Sequence, residues 1–488
     1  MTPKNLKIIL PAIAMCSFFA LVGRVSAATY HVSPLGNDNN TGTEQNPFIT
    51  VQKGLASLQA NDVLQIKNGN YDLAAFARSF SFPVSIVGES KEGVVLRNGR
   101  TLSFTKGFSV ERITFTGYSA SIFMLTIGAN ESVSGVNIKD CIFKNISSQH
   151  IFRSDSDWTG RISNVRIERN RFEDFGNAGR IEPIRVSYNG YISDVIIANN
   201  VFKNLVTSDP KGGVTAIRVG GTEAQSTGMV DNILITENCF SNLVGGTDCL
   251  DEICDQHPET HAIMGFGKNI TVSGNRIMDI NISSDHEGIY LKPTYSSVLN
   301  NILVNAGGGS ADITIKGWVG VGNTVSGNII TGSQYGRAIF FNGGGEIKDN
   351  IIKKPNSYSG IYAQAYGQLI AIENNQIEVN TGACGYTSEQ AGYDTCPGAI
   401  IKGNYLYAKQ AGGNTLSMPN TCGVTNQNNV QCSGTGCLPV ALPSVCTDRS
   451  ECRASCSLSP FFCPDSSCNG AENCSTCPQD CGVCPATS

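Results

Sequence analysis

Two short strings hold the residue types that proton transfer and metal binding need. Asp285-His-Glu-Gly-Ile-Tyr-Leu-Lys292 carries paired carboxylates followed by an amine, and Asp312-Ile-Thr-Ile-Lys316 repeats carboxylate and amine. Two amines held side by side lower each other's proton affinity. One of Lys292 and Lys316 is therefore expected to serve as a general base, while its charged neighbour acts as acid or holds a substrate carboxylate. If successive repeats stack, Glu259 stands over Asp285 and His261 over Glu287. Carboxylates gathered at one point repel unless a cation joins them, and oxygen donors alone favour Ca2+. Glu259, Asp285 and Glu287 are thus the expected calcium ligands. A cation facing a uronate carboxylate acidifies the C5 hydrogen. With a lysine to remove that hydrogen and a glycosidic oxygen to leave, these parts amount to machinery for β-elimination.

Such groups need a scaffold that repeats, and the chain supplies one. A strand, an Asn and a large apolar residue recur from Ile167-Glu-Arg-Asn170-Arg-Phe to Ile401-Lys-Gly-Asn404-Tyr-Leu, with Asn200, Asn238, Asn275, Asn301, Asn328, Asn350 and Asn375 between. The spacing of 22 to 38 residues is that of a solenoid. Each coil is too short to bury its own core, so coils must stack. Asn at a fixed turn tolerates a left-handed backbone, and stacked Asn side chains can hydrogen-bond along the stack. The expected fold is all-β, a right-handed parallel β-helix of the pectate-lyase-like kind; a β-propeller would need antiparallel blades of steadier length. An N-terminal cap is expected over the first coil, including a short helix near Val51 to Leu58 with Val51, Leu55 and Leu58 on one face.

A second strand recurs between the Asn turns and aligns on Ile184, Ile217, Ile263, Ile289, Ile313, Ile339 and Ile361. With Ile inward, alternation turns Arg185, Arg218, Met264, Tyr290, Thr314, Phe340 and Tyr362 outward, and beyond them Phe266, Lys292, Lys316 and Asn342. Asp312 is expected to face out as well, with Arg337 near by at a turn. Cations interleaved with rings suit a long anionic sugar chain. Arg185, Arg218, Tyr290, Arg337 and Asn342 are the expected substrate-binding residues; an ordinary solvated face is the plainer alternative.

Composition bounds the partners. The 488 residues carry a net charge of −5, which speaks against nucleic acid. Lys4 and Lys7, an apolar run from Ile8 to Val22 and the small residues Val25-Ser26-Ala27 read as a secretory signal over residues 1–27. No integral membrane segment is expected after its removal, and a monomer exported from the cell is expected. Of 19 cysteines, most lie beyond Cys422. Export and the lack of His there favour disulfides over zinc. Residues 28–415 are thus expected to form the β-helix and 416–488 a small cysteine-rich module. Cys249 and Cys254 are expected to close an insertion; Cys384 and Cys396 bracket another.

Glu287-Gly-Ile-Tyr-Leu-Lys292 followed by Ile313-Thr-Ile-Lys316-Gly resembles the active-site region of polysaccharide lyase family six, the alginate lyases and chondroitinase B. The resemblance implies Asp285 and Glu287 as calcium ligands, Lys292 as base and Lys316 as acid, acting on an alginate-like or chondroitin-like polymer. The sequence departs from that family in having Lys316-Gly-Trp where Arg followed by His-Gly is usual, Pro293 where Ser follows the base, and Asp285 where Glu is the first acid. Three alternatives stay open: another enzyme on the same fold (a pectate lyase, a hydrolase using Asp285 and Glu287 as its acid pair, or a C5-epimerase), a polysaccharide-binding protein, and an adhesin.

Overall fold

The computed structural model describes residues 27–442 except 178, 187–188, 222–228, 247–258, 282–284, 308–310, 317–320, 333, 335, 366–367, 388–398, 414 and 418–423, together with the side chains of Asn281, Asp285 and 385–387. The expected signal peptide, the Cys249–Cys254 insertion, Cys396 and most of the cysteine-rich module lie outside the described residues.

The chain winds as a right-handed parallel β-helix. Two parallel sheets, of 27 and 14 strands, run its length, so each full coil gives about two strands to the first and one to the second. Every ladder pairs a strand with its equivalent one coil away, as in Ile217↔Ile263 and Ile263↔Ile289. The helix Val51–Ser57 caps the start. Thr50 accepts a hydrogen bond from the Lys53 amide, and Val51, Leu55 and Leu58 are buried as their spacing predicts. Among the described residues no helix is long and apolar enough to cross a membrane.

Two columns hold the stack together. Inside the 14-stranded sheet, Phe115, Phe143, Phe172, Phe202 and Phe240 lie face to face, with ring centroids 5.2, 5.1, 4.7 and 4.8 Å apart. That is the inter-strand spacing of a sheet, so like residues on successive coils stack without adjustment. Each buried ring stabilises by roughly 1.5–3 kcal/mol.

The second column is the expected asparagine ladder. Asn275 donates its amide N–H and its Nδ2 to Oδ1 of Asn301, at 2.9 and 3.0 Å, and Asn301 does the same to Asn328. The pattern holds from Asn170 to Asn429. The left-handed residue, however, is the one before each Asn: Arg169, Asn199, Glu237, Gly274 and Asn300 have φ of 56, 56, 54, 63 and 55°. The ladder Asn must aim both donors along the axis, so its neighbour makes the reversal.

Cys141 occupies the ladder position one coil before Asn170. It donates its N–H to Asn170 Oδ1, and its thiol approaches Lys139 O at 3.3 Å, the carbonyl two residues back that a ladder Asn also uses. Burial pushes this thiol up to about 12, so it is an inert stand-in for an amide donor.

Strands Val424–Gln427 and Val430–Ser433 still pair with the preceding coil, so the solenoid runs past residue 415. Cys432–Cys437 is a disulfide and Cys239 is disulfide-bonded, whereas Cys384 is a buried thiol.

Candidate functional site

The register of the second strand follows the Ile column: Ile184↔Ile217, Ile217↔Ile263, Ile263↔Ile289, Ile289↔Ile313, Ile313↔Ile339 and Ile339↔Ile361 pair directly, and all seven are fully buried. Alternation breaks just before it. The residues preceding these Ile are Pro183, Ala216, Ala262, Gly288, Asp312, Ala338 and Gly360, almost all small and all turned inward. A Cβ on Gly288 would lie 2.8 Å from Leu303 Cδ2 in the interior. Two consecutive inward residues slip the pleat by one, which turns Glu182, Thr215, His261, Glu287 and Arg337 out onto the groove floor.

Asp312 is the exception in that small column, and it corrects the expectation that it faces the groove. It is wholly buried, and Lys354 reaches it from the opposite sheet at 2.5 Å. Burial pushes its carboxyl above the usual range against the pull of Lys354.

Glu287 sits at the bottom of the groove, almost without exposure. Nε2 of His261 lies 2.8 Å from one carboxylate oxygen, and the Thr314 hydroxyl donates to the other at 3.4 Å. Burial alone would raise this carboxyl; the His261 hydrogen bond and charge, then Lys316 and His286, hold it below the usual range. The His261 ring packs 5.3 Å from that of Tyr290, and its buried Nδ1 has no hydrogen-bond partner among the described residues.

Glu259 pairs in register with Asp285, as the stacking predicts, but its carboxylate turns to Arg180 at 3.3 Å, and that of Glu287 is engaged by His261. The Asp285 side chain lies outside the described residues. Among the described residues no three His, Cys, Asp or Glu side chains come together as a shared metal requires. Two of the three expected ligands are thus engaged by other side chains in this structure.

Lys292 and Lys316 stand one residue beyond the paired Leu291↔Ile315. Each amine leans over a ring of the preceding coil: Lys292 Nζ is 5.9 Å from the Phe266 centroid and Lys316 Nζ 5.4 Å from that of Tyr290. Arg337, in strand Arg337–Asn342 rather than at a turn, lies 4.9 to 5.7 Å from the rings of Tyr362, Tyr358 and Phe340. Asn342 pairs in register with Lys316, and its buried Oδ1 has no hydrogen-bond partner among the described residues. Tyr290, Lys292, Lys316, Arg337 and Asn342 thus share three adjacent coils.

Arg185 and Arg218 lie further toward the N-terminus, paired in register with each other and with Arg153 before them. They converge on Glu182, which the sequence reading missed. Glu182 is fully buried, with Arg180, Arg218, Arg185 and His150 at 3.0, 3.2, 3.4 and 3.4 Å. Burial would raise its carboxyl, but His150 and the three arginines overcome that and hold it down at about 2. The signal was present: Glu182 stands two residues before Ile184 as Glu287 does before Ile289, and Arg153 one coil before Arg185.

A right-handed parallel β-helix with a groove of cations and rings along one sheet is the class of protein that fold and site define. Residues 35–291 match the family described as "Protein of unknown function (DUF1565)", and the chain belongs to that family; the active-site strings had resembled polysaccharide lyase family six instead. No curated protein matches the chain. Among solved structures it is similar to the A-module of the mannuronan C-5 epimerase AlgE6 of Azotobacter vinelandii, at 14% identity and a TM-score of 0.40 over 78% of this chain and 93% of that one. It is also similar to the periplasmic alginate epimerase AlgG, at 10% and 0.41 over 79% and 84%, and to the GH136 lacto-N-biosidase of Eubacterium ramulus, at 11% and 0.43 over 83% and 68%.

Proposed function

We propose that the protein is exported and cleaves a uronate-containing polysaccharide by β-elimination in this groove. The observation that carries the reading is the pair Lys292 and Lys316 on successive coils of one sheet face, each amine over an aromatic ring, in a chain of net negative charge. Lys292 takes the C5 proton; the electrons of the C5–H bond form the C4–C5 double bond as the C4–O bond breaks, and Lys316 returns a proton to the leaving oxygen. Tyr290 offers a sugar its ring, and Arg337 and Asn342 face the acidic groups of adjoining sugars. A lysine suits the base role because its pKa moves readily with its surroundings, which a guanidinium does not allow.

The test is a screen of alginate, chondroitin, dermatan, pectate and glucuronan, followed by the ultraviolet absorbance of the new double bond. Absorbance growing on one of them, and lost in Lys292→Ala with binding kept, supports elimination. Silence on all five with calcium supplied sinks the proposal, and binding without turnover assigns a polysaccharide-binding protein. A chelator arm settles the calcium expectation: turnover that falls with chelator and returns with calcium restores Asp285 and its neighbours as ligands.

A further inference from the structure

Arg185 and Arg218 share one carboxylate, that of Glu182. Three guanidinium groups, of Arg180, Arg185 and Arg218, surround Glu182 within 3.4 Å, and none of them can lose its proton. Burial, and after the opposing pull of Glu182 the charges of Arg218 and Arg153, hold the Arg185 guanidinium below its usual range, with Asp155 pulling the other way. Arg153, Arg185 and Arg218 stand on three consecutive coils, about 4.8 Å apart along the axis.

This cluster lies on the same face as Lys292, and one ring stands between them. Phe266 has the Arg218 guanidinium 6.0 Å from its centroid and Lys292 Nζ at 5.9 Å. The Glu182 contacts fix the arginine forks during folding, so an arriving anion meets donors whose ordering has already been accomplished. Guanidinium forks match planar or tetrahedral oxyanions in paired hydrogen bonds.

We propose that Arg185 and Arg218, held in place by Glu182, form a second anion subsite of the groove, which takes a carboxylate or sulfate group of the same glycan chain on the far side of Phe266 from Lys292. This rests on the reading of the groove as an acidic-glycan site. The ligand must then carry charge on both sides of the ring. A long acidic chain engages both clusters, whereas a short one reaches only the lysine end.

The experiment measures binding of alginate-derived oligouronates and of chondroitin sulfate oligomers, from disaccharide to octasaccharide, by titration calorimetry. The expected result is that the octasaccharide of one series binds wild type at least about tenfold more tightly than its disaccharide. The Arg185→Ala/Arg218→Ala double variant loses most of that advantage, with KM for the polymer rising more than kcat falls. Arg185→Lys/Arg218→Lys, which keeps the charge, recovers part of it and serves where the alanine pair unfolds the coil. A length advantage in the uronate series assigns the subsite to carboxylate, and one in the sulfated series alone to sulfate. If both variants keep the length advantage, or weaken short and long oligomers in the same proportion, the subsite is overturned while the groove reading stands. If wild type binds neither series, the groove reading falls and the subsite falls with it.

Discussion

The two ends of the groove floor use cations in opposite ways. Toward the N-terminus, Arg185 and Arg218 are locked onto the buried Glu182 and Arg153 onto Asp155 at 2.8 Å. Toward the C-terminus, Lys292, Lys316 and Arg337 lean over aromatic rings, and the buried acid Glu287 is held by a histidine. A guanidinium fixed by a carboxylate is permanently charged and rigid, good for grip and useless for proton transfer. A lysine amine is a compact charge on a flexible stem, and lysine is a residue type that can serve as a general base. On the proposed reading the difference is a division of labour: chemistry at the lysine end, hold at the arginine end.

The contrast can be broken at the lysine end with the largest effect. Lys292→Ala is expected to lower kcat by about 10²–10⁴-fold with little change in stability, measured on whichever polymer the screen yields; a loss below tenfold would move the base elsewhere. At the arginine end the expected effect is on folding. Glu182→Gln leaves buried guanidinium groups without their carboxylate and is expected to cost about 3–5 kcal/mol in urea unfolding at pH 7.

Its pH signature sharpens the point. Glu182 has a folded pKa of about 2, below the ordinary 4.5. Its contribution is therefore present above the ordinary value and is lost as pH falls toward about 2. Through that window wild type should lose stability that Glu182→Gln has already lost, and the gap between them should narrow. A gap that stays constant with pH would mean the carboxylate's charge is not what holds the arginines. The smallest expected effect is at Tyr290. Replacing its ring by Leu removes the surface beneath Lys316 and should raise KM about two- to fivefold; no change would place the sugar away from that ring.

Much of the scaffold was legible. The Asn column, the Ile column and the cap helix follow from spacing alone, because a solenoid repeats its side-chain environment every coil. The pleat slip was not read, although its signal, a column of Pro183, Ala216, Ala262, Gly288, Ala338 and Gly360, stands in the sequence. Strict alternation placed Asp312 outward; the slip sends it inward, where Lys354 from the opposite sheet and the backbone N–H groups of Ala306 and Gly307 make it tolerable. The same slip brings Glu182 onto the floor. Its partners Arg180 and Arg218 come from different coils, and such convergence depends on side-chain reach that spacing does not encode. Glu287 and His261, one coil back, were read as stacked positions and not as a hydrogen-bonded pair.

The asparagine ladder also has a direction. Each ladder backbone N–H donates toward the C-terminal coil and each Oδ1 accepts from the N-terminal one, while Nδ2 reaches both ways, as from Asn275 to Asn301 Oδ1 and to Ile235 O. During synthesis the newest finished coil therefore always presents unsatisfied N–H groups, and only the next coil brings the oxygen that quiets them. At the last described rung, Asn429 turns its Nδ2 both to Asn426 of its own coil at 2.7 Å and to Ile401 O of the preceding one at 2.6 Å.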